Sequence, residues 1–449
     1  MNQKKFDELK GLIRAIEALI EIVVLTFIYY LVWKNIYENS LFPAYYGRGK
    51  YVMMLIYALI TISIFNLNGS FKYGHLKLSH IFISQVIAIF LTNIITYFQL
   101  CLISNKMVTM VPMIILSVID IFICLFFCYL YTAIYHRFNM PRNVLMIVGE
   151  DDSSKESDLK FKLESRQDKY SVTKIIKVKR KNRKLFEDLG EYDAVVLDNV
   201  AHDIRSEILK YCYENQIRTY IVPEVSDIIM RGLNDITLFD TPLLLMKDYG
   251  LSTVQRILKR TMDILLSLTA LLIGTPIMLI IAIAIKLEDG GPILFKQDRV
   301  TKDEKVFAIL KFRSMIVDAE KDGISIPAVD NDPRITKVGK IIRPVRLDEL
   351  PQIFNILKGE MSIVGPRPER VEHVQKYIEQ IPEFRYRFKV KGGLTGYAQI
   401  YGKYNTSAYD KLRMDLIYIE NYSLLLDVKL IIETVRILFK KESTEGFEE

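Results

Sequence analysis

Cysteine and histidine are scarce in this chain, with four and five residues among 449. No histidine clusters with a cysteine, so no zinc site is expected. Cys101, Cys124 and Cys128 lie in apolar runs, which argues against a disulfide framework. Cys124 and Cys128 share a helix face four residues apart, and packing is their expected role. A cleavable signal peptide is not expected either, because the first apolar run is too long and has no small-residue cleavage site. Charge is missing altogether between Ile264 and Ile285, a run long enough to cross a bilayer.

Apolar residues, by contrast, are abundant. Half the chain is hydrophobic and the mean hydropathy is +0.17, too apolar for a purely soluble enzyme. The length suggests two or three units. A net charge of +7 suits contact with anionic lipid or phosphate, or a basic rim facing the cytoplasm.

Four apolar stretches fill the first third, approximately residues 12–33, 52–67, 81–103 and 108–135. Glu17 and Glu21 suggest that the first begins at the membrane interface. Asp120 lies inside the fourth; an intramembrane carboxylate is a functional candidate, and a polar neighbour in the bundle is the favoured reading. Lys4, Lys5, Lys10 and Arg14 place the N-terminus in the cytoplasm. Four crossings then return the chain there near residue 140.

From Asn143 the pattern alternates. Strands are expected at "VLMIVGE", "YDAVVLDN" and "RTYIVPE", with helices near residues 154–165 and 203–215. The first strand invites a dinucleotide-binding reading. However, "GEDDSSKE" lacks the later glycines of that fingerprint and puts acids where a pyrophosphate would sit. A structural or regulatory domain is favoured.

The charge-free run is flanked by cations. Lys259 and Arg260 precede it; Lys286, Lys296 and Arg299 follow it. Positive charge on both flanks places both ends in the cytoplasm. Pro276 removes a backbone donor and frees the Leu272 carbonyl, to which Thr275 could return a hydroxyl. A broken helix entering and leaving one leaflet fits, with Thr275 and Pro276 at the break. A proline-kinked spanning helix is the alternative.

The chemistry gathers beyond Lys286. "FKQDRV" brings Arg299, and "FAILKFRSM" brings Lys311 and Arg313. "DPRITKVGKIIR" brings Arg334, "GPRPE" brings Arg367, and the glycine-rich "KGGLTGYAQIYG" brings Gln399. So many cations beside rigid Pro/Gly turns suit a polyanion at the bilayer surface. In "RLDELPQIFNILKG", Leu350, Ile353, Phe354 and Leu357 follow helical spacing and Gly359 is the stop. Asp348 and Glu349 then lie at the helix start, where the positive helix end favours a carboxylate and a bound phosphate. An ionised aspartate there is a ready nucleophile toward phosphorus. Plain N-capping by Asp348 is the other reading. The tail, "LLLDVKLIIETVRILFKK", either lies on the membrane or packs on the core.

From about Lys259 to the C-terminus the sequence resembles the bacterial sugar transferases, monotopic phosphoglycosyl transferases that act on polyprenyl phosphate. The motifs are "KRTMD", "FKQDRV", "KFRSM", "DPRITKVGKIIR", "LDELPQIFNILKGEMSIVGPRPE" and "GLTGYAQIYG", in that order. The layout resembles the long members that prime exopolysaccharide, capsule or O-antigen synthesis. Three domains follow: a four-helix transmembrane bundle at 1–140, a degenerate Rossmann-like α/β domain at 141–250, and a small mixed α/β catalytic domain at 251–449 on a re-entrant membrane helix at 264–285. The resemblance implies transfer of hexose-1-phosphate from a UDP-sugar to undecaprenyl phosphate, releasing UMP. It also implies Mg²⁺ and a covalent phospho-sugar on Asp348, with Glu349 binding metal or orienting its neighbour. Lys259, Arg260 and Asp263 match the motif that opens the re-entrant helix. Relatives often break that helix at Ser-Pro, where this chain has Thr275-Pro276. A multi-pass protein of the inner membrane is expected, with its catalytic domain facing the cytoplasm. A homodimer is expected by analogy, and nucleic acid is not an expected partner. A non-catalytic membrane regulator or scaffold is the alternative.

Overall fold

The computed structural model describes residues 3–38, 48–73, 78–138, 141–149, 153–178, 186, 189–246, 250–317, 319, 332–403 and 406–438. Residues 150–152, in the turn that the dinucleotide reading needed, lie outside these. So do the side chains of Lys4, Lys5 and Lys10. Contacts divide the chain into two compact units, Met1–Pro223 and Glu224–Glu449. Among the described residues five helices are long and apolar enough to cross a membrane.

Four of them open the first unit: α1 (Gln3–Val32), α2 (Gly49–Leu67), α3 (Leu78–Ser104) and α4 (Val111–Phe138). Their outward faces carry Phe90, Phe98, Phe122 and Phe126, while their polar residues turn inward. In lipid the inside is where polar groups find partners. Asp120 is fully buried and accepts hydrogen bonds from Asn93 Nδ2 at 3.1 Å and Tyr57 Oη at 3.4 Å. The polar neighbour expected for it is therefore present. Glu21 accepts from Tyr73 Oη at 2.7 Å and Gln85 Nε2 at 2.9 Å. Glu17 and Glu21 are buried between the helices. Cys124 and Cys128 pack inside, as their shared face required.

The rest of this unit is a parallel sheet of β1 (Arg142–Val148), β2 (Tyr170–Lys177), β3 (Ala194–Asp198) and β4 (Arg218–Ile221), in the order β2-β1-β3-β4. Helices α5 (Ser153–Glu164) and α6 (His202–Glu214) accompany it. The central strands are buried and apolar, and pattern reading found both. The edge strand β2 was missed; it mixes serine, threonine and two lysines with its apolar residues and lies half exposed, so it lacks the continuous apolar run. At the carboxyl ends of β1 and β3, a Cβ on Gly149 would lie 2.0 Å from the Asn199 carbonyl oxygen. The two strand ends therefore meet main chain to main chain at this point.

The second unit starts with α7 (Val225–Arg231) and a hairpin, β5 (Asn234–Leu238) and β6 (Thr241–Leu245). Next comes α8 (Thr253–Asp289), followed by the hairpin β7 (Leu294–Val300) and β8 (Val306–Phe312). Helices α9 (Lys337–Ile342) and α10 (Gln352–Lys358) lead to β9 (Ser362–Val364) and α11 (Val371–Gln380). The chain closes with β10 (Gly393–Thr395), α12 (Tyr397–Tyr401), α13 (Ala408–Glu420) and α14 (Leu424–Leu438). Ile228 of α7 joins Val364, Phe384, Leu412, Leu416 and Leu430 in one buried apolar cluster. The tail helix thus packs on the core: Leu430 and Asp427 of α14 are wholly buried.

Helix α8 is one continuous element with Pro276 inside it, not two helices separated by a break. The Thr275 hydroxyl donates to the Leu271 carbonyl at 2.6 Å, not to Leu272 as expected, because the side chain reaches back one full turn from its own Cα. Lys259, Asp263, Ser267, Gly274, Ile281 and Ile285 form one narrow buried stripe along it. Leu265, Leu272, Ile273, Ile280 and Ile283 stay exposed. Both ends are fastened to the same unit. Asp263 accepts from Ser362 Oγ and Ile363 N, each at 3.0 Å, and Glu288 accepts from Lys337 N at 2.6 Å.

Candidate active site

Asp348 and Glu349 sit in a 3₁₀ turn, Leu347–Glu349, entered through Arg346 at φ +54°. The expected N-cap is not made: α10 begins later, at Gln352, and Pro351 occupies its cap position. With seven residues α10 is also too short for the helix-dipole argument. Its inward face differs from the apolar spacing read in the sequence. Ile353 and Ile356 are buried together with the polar Gln352 and Asn355, while Phe354 turns outward. Gly359 does end it, at φ +87°, a left-handed value that favours glycine.

Asn355 explains the inward polar face. Its Oδ1 accepts from Leu310 N at 3.0 Å, and its Nδ2 donates to Ala308 O at 2.8 Å and to Glu360 Oε2 at 2.6 Å. One amide thus supplies the partners that β8 lacks on its open edge, and fastens α10 to that strand. This fixes Lys311 of β8 relative to the acidic turn.

Lys311 Nζ donates to Glu349 Oε1 at 2.7 Å, and Arg367 Nη2 lies 3.5 Å from the same oxygen. Burial raises the Glu349 carboxyl, but Lys311 and Arg367 outweigh it and hold its pKa at about 2. Burial lowers the Lys311 ammonium, with Glu349 opposing. Asp348 goes the other way from its neighbour: burial raises it, Glu349 adds to the rise, and Lys311 and Arg343 only partly offset both. The pair therefore splits into one firmly ionised carboxylate and one whose ionisation is harder. Titratable neighbours pushed apart in this way mark functional sites.

Arg367 is presented by a held backbone. The buried Arg387 donates from Nη2 to the Arg367 carbonyl at 2.9 Å, and Arg299 donates from Nη1 to the Pro368 carbonyl at 3.1 Å. The Arg367 side chain itself stays 40% exposed. Arg387 is anchored by Asp415, with Nη2 2.7 Å from Oδ2. Sequence reading did not single out Arg387, which lies outside the motif strings; only its place in an aromatic-basic run, "FRYRF", set it apart.

The structure brings Asp348, Glu349, Lys311 and Arg367 together, with Arg299 behind the loop of Arg367. The other cations are committed elsewhere. Lys259 pairs with Asp427 at 2.6 Å, and Arg260 donates to the Ile356 and Leu357 carbonyls at the end of α10. Arg313 forks onto Asp289, and Arg334 onto Asp332. Gln399 donates to the Leu394 carbonyl at 2.9 Å and steadies the glycine-rich loop. Among the described residues no group of three or more His, Cys, Asp or Glu could hold a metal ion. Two adjacent carboxylates nonetheless suit Mg²⁺, which takes one or two acids and completes its shell with water and substrate phosphates.

Residues 254–441 match the family profile described as bacterial sugar transferase. An exopolysaccharide production protein of Rhizobium leguminosarum bv. phaseoli is 41% identical over 188 residues, 94% of its own length and 40% of this chain. The chain belongs to the bacterial sugar transferase family. It is also 40% identical over 257 residues to a UDP-N-acetylgalactosamine-undecaprenyl-phosphate N-acetylgalactosaminephosphotransferase of Aeromonas hydrophila, covering 56% of this chain and 60% of the relative. A UDP-glucose:undecaprenyl-phosphate glucose-1-phosphate transferase of Escherichia coli K12 is 44% identical over 211 residues, 46% of this chain and 44% of the relative. The chain thus matches about half the length of these two longer relatives.

Proposed function

We propose that this sugar transferase moves hexose-1-phosphate from a UDP-sugar to undecaprenyl phosphate and so primes exopolysaccharide, capsule or O-antigen synthesis. The observation that carries this reading is the split acidic pair, Asp348 free to react and Glu349 clamped by Lys311 and Arg367. In the first step an Asp348 oxygen attacks the sugar-side phosphorus of the diphosphate. The new O–P bond forms as the bridging P–O bond breaks, and UMP leaves with that electron pair. In the second step an oxygen of the lipid phosphate attacks the same phosphorus and releases the Asp348 carboxylate. Atoms and charges balance without another reactant. Arg367 and Lys311 supply positive charge where the leaving phosphate gains negative charge.

Mg²⁺ belongs to the same reading. Glu349 and Asp348 would hold it, and bound to the diphosphate it would neutralise the departing phosphate. Bent at Pro276 without being interrupted, the uncharged stretch of α8 would enter and leave one leaflet of the inner membrane. Attachment of both helix ends to one unit supports that path, and so does positive charge on both flanks. The catalytic unit then faces the cytoplasm, where UDP-sugars are made. The parallel β2-β1-β3-β4 order supports a Rossmann-like description of the first α/β sheet, in a structural or regulatory role. A homodimer completes the reading, and light scattering of the detergent-solubilised protein tests it.

The deciding experiment incubates the purified full chain with undecaprenyl phosphate, Mg²⁺ and a panel of UDP-sugars, and measures UMP. One sugar should release UMP, and Asp348→Asn should abolish the release. Mass spectrometry without acceptor should find a phospho-sugar on Asp348. Wild-type turnover by the Asn variant would refute the nucleophile, and silence with every sugar would refute the activity, leaving a membrane scaffold as the better reading.

A further inference from the structure

A second cationic feature of the catalytic unit is not used by the chemistry above. Beside the first turns of α8 lies a cavity of about 1290 Å³. Residues from Thr253 to Asp263 form one wall, and the uncharged run begins at the next residue, Ile264. Lys302, Lys389 and Lys391 also line it. None of Asp348, Glu349, Lys311 or Arg367 lines it.

The charges of this cavity do not cancel. Its acids are Asp263, Asp303 and Glu420. Asp263 accepts from Ser362 and the Ile363 amide, both neutral, and keeps its charge. Asp303 lies 3.8 Å from Lys302, and Glu420 lies 4.0 Å from Lys389. Lys259 is neutralised by Asp427. Against Arg256, Arg260 and Lys391 that leaves the Asp263 carboxylate alone, so positive charge is in excess. Lys391 makes no ion pair and no hydrogen bond through its ammonium among the described residues. It nevertheless shares its space with Arg260: both head groups lie within 3.6 Å of the point where a Cβ on Gly359 would stand. Burial lowers the Lys391 pKa, the nearby Arg260, Lys302 and Lys259 push the same way, and Asp263 opposes them only in part. Keeping like charges together in a half-buried wall costs free energy unless an anion is shared between them.

We propose that this cavity is a second anion site, which takes a phosphate ester between Lys391 and Arg256, while the Arg260 guanidinium, held by the Ile356 and Leu357 carbonyls, adds its charge from the wall. Its place at the foot of the apolar run suits the head group of an anionic phospholipid, and its volume also admits a free phosphate or diphosphate. The inference stands apart from the Asp348 chemistry, because the two sets of residues do not overlap.

Trace acylation of lysines on the intact protein tests it. The full chain is placed in phosphatidylcholine nanodiscs, and labelling of each lysine is read by mass spectrometry. Inorganic pyrophosphate is added in one arm, and phosphatidylglycerol replaces part of the lipid in another. Labelling of Lys391 should fall several-fold in at least one arm, while the exposed Lys296 of β7 keeps its rate. Lys311, read in the same digest, reports the reaction site separately. A fall with pyrophosphate identifies a free-phosphate site, and a fall with phosphatidylglycerol alone identifies a lipid head-group site. Lys391→Glu should abolish any accompanying protection of Lys302. An unchanged Lys391 rate in both arms, or a parallel fall at Lys296, would overturn the proposal.

Discussion

At the scale of single residues, adjacent carboxylates have opposite fates. Glu349 is depressed by its two cations, while Asp348 is elevated by burial and by Glu349 itself. The nucleophile therefore loses ionisation first as pH falls. The acid limb of kcat/KM should sit above the ordinary aspartate range and belong to Asp348 alone. Glu349→Gln removes a like charge, so that limb should shift to lower pH even as kcat drops; a pH profile of both forms checks this. For stability the sign follows from the depressed group. Glu349 contributes above its unfolded pKa, near 4.5, and that contribution is lost as pH falls toward about 2. Asp348 was legible because acids beside Leu-Pro stand out among basic motifs. Its electrostatic setting was not, since Lys311 and Arg367, which hold the neighbouring Glu349, are remote in sequence.

Elements are held by polar groups whose role a sequence disguises. Lys259 looked like a phosphate ligand because it is basic and flanks a membrane run. It is instead paired to Asp427, and the two join α8 to α14 with side chains 7% and 0% exposed. Lys259→Met should cost about 3–5 kcal/mol by stranding a buried carboxylate. Lys259→Met with Asp427→Leu should recover most of that loss, as read from thermal unfolding in detergent. A phosphate ligand would behave otherwise: the double variant would regain no activity. Asn355 is the second case. Asn355→Ala leaves the Leu310 amide and the Ala308 carbonyl without partners, at roughly 2–4 kcal/mol. Because Lys311 sits next to Leu310, kcat should fall further than KM rises. Periodicity had marked α10 by its leucines and isoleucines, and it missed Asn355 because a buried amide has no apolar signature.

At the scale of the whole molecule, composition and hydropathy were enough to separate membrane helices from α/β segments. The four N-terminal helices and the central strands of the parallel sheet were all found. Short pieces were harder. The half-exposed strand β2 and the 3₁₀ turn depend on neighbours, not on their own pattern. The path of α8 is the largest question at this scale. Its described form is a single 37-residue helix, roughly 55 Å long if straight. Single cysteines at Met262 and Glu288, in a cysteine-free background, should both react from the cytoplasmic side of sealed inverted vesicles. Reaction of only one would show a spanning helix.

Two glycines carry a consequence of another kind. A Cβ on Gly365 would lie 2.4 Å from the Lys391 carbonyl oxygen, and one on Gly393 would lie 2.1 Å from the Gly365 amide nitrogen. The proline loop and the glycine loop are thus two halves of one clasp, closed main chain to main chain. Even a methyl group on either half would prise it open and swing Arg367 away from Glu349. Losing the smallest side chain in the protein could therefore silence the enzyme as completely as losing its charge.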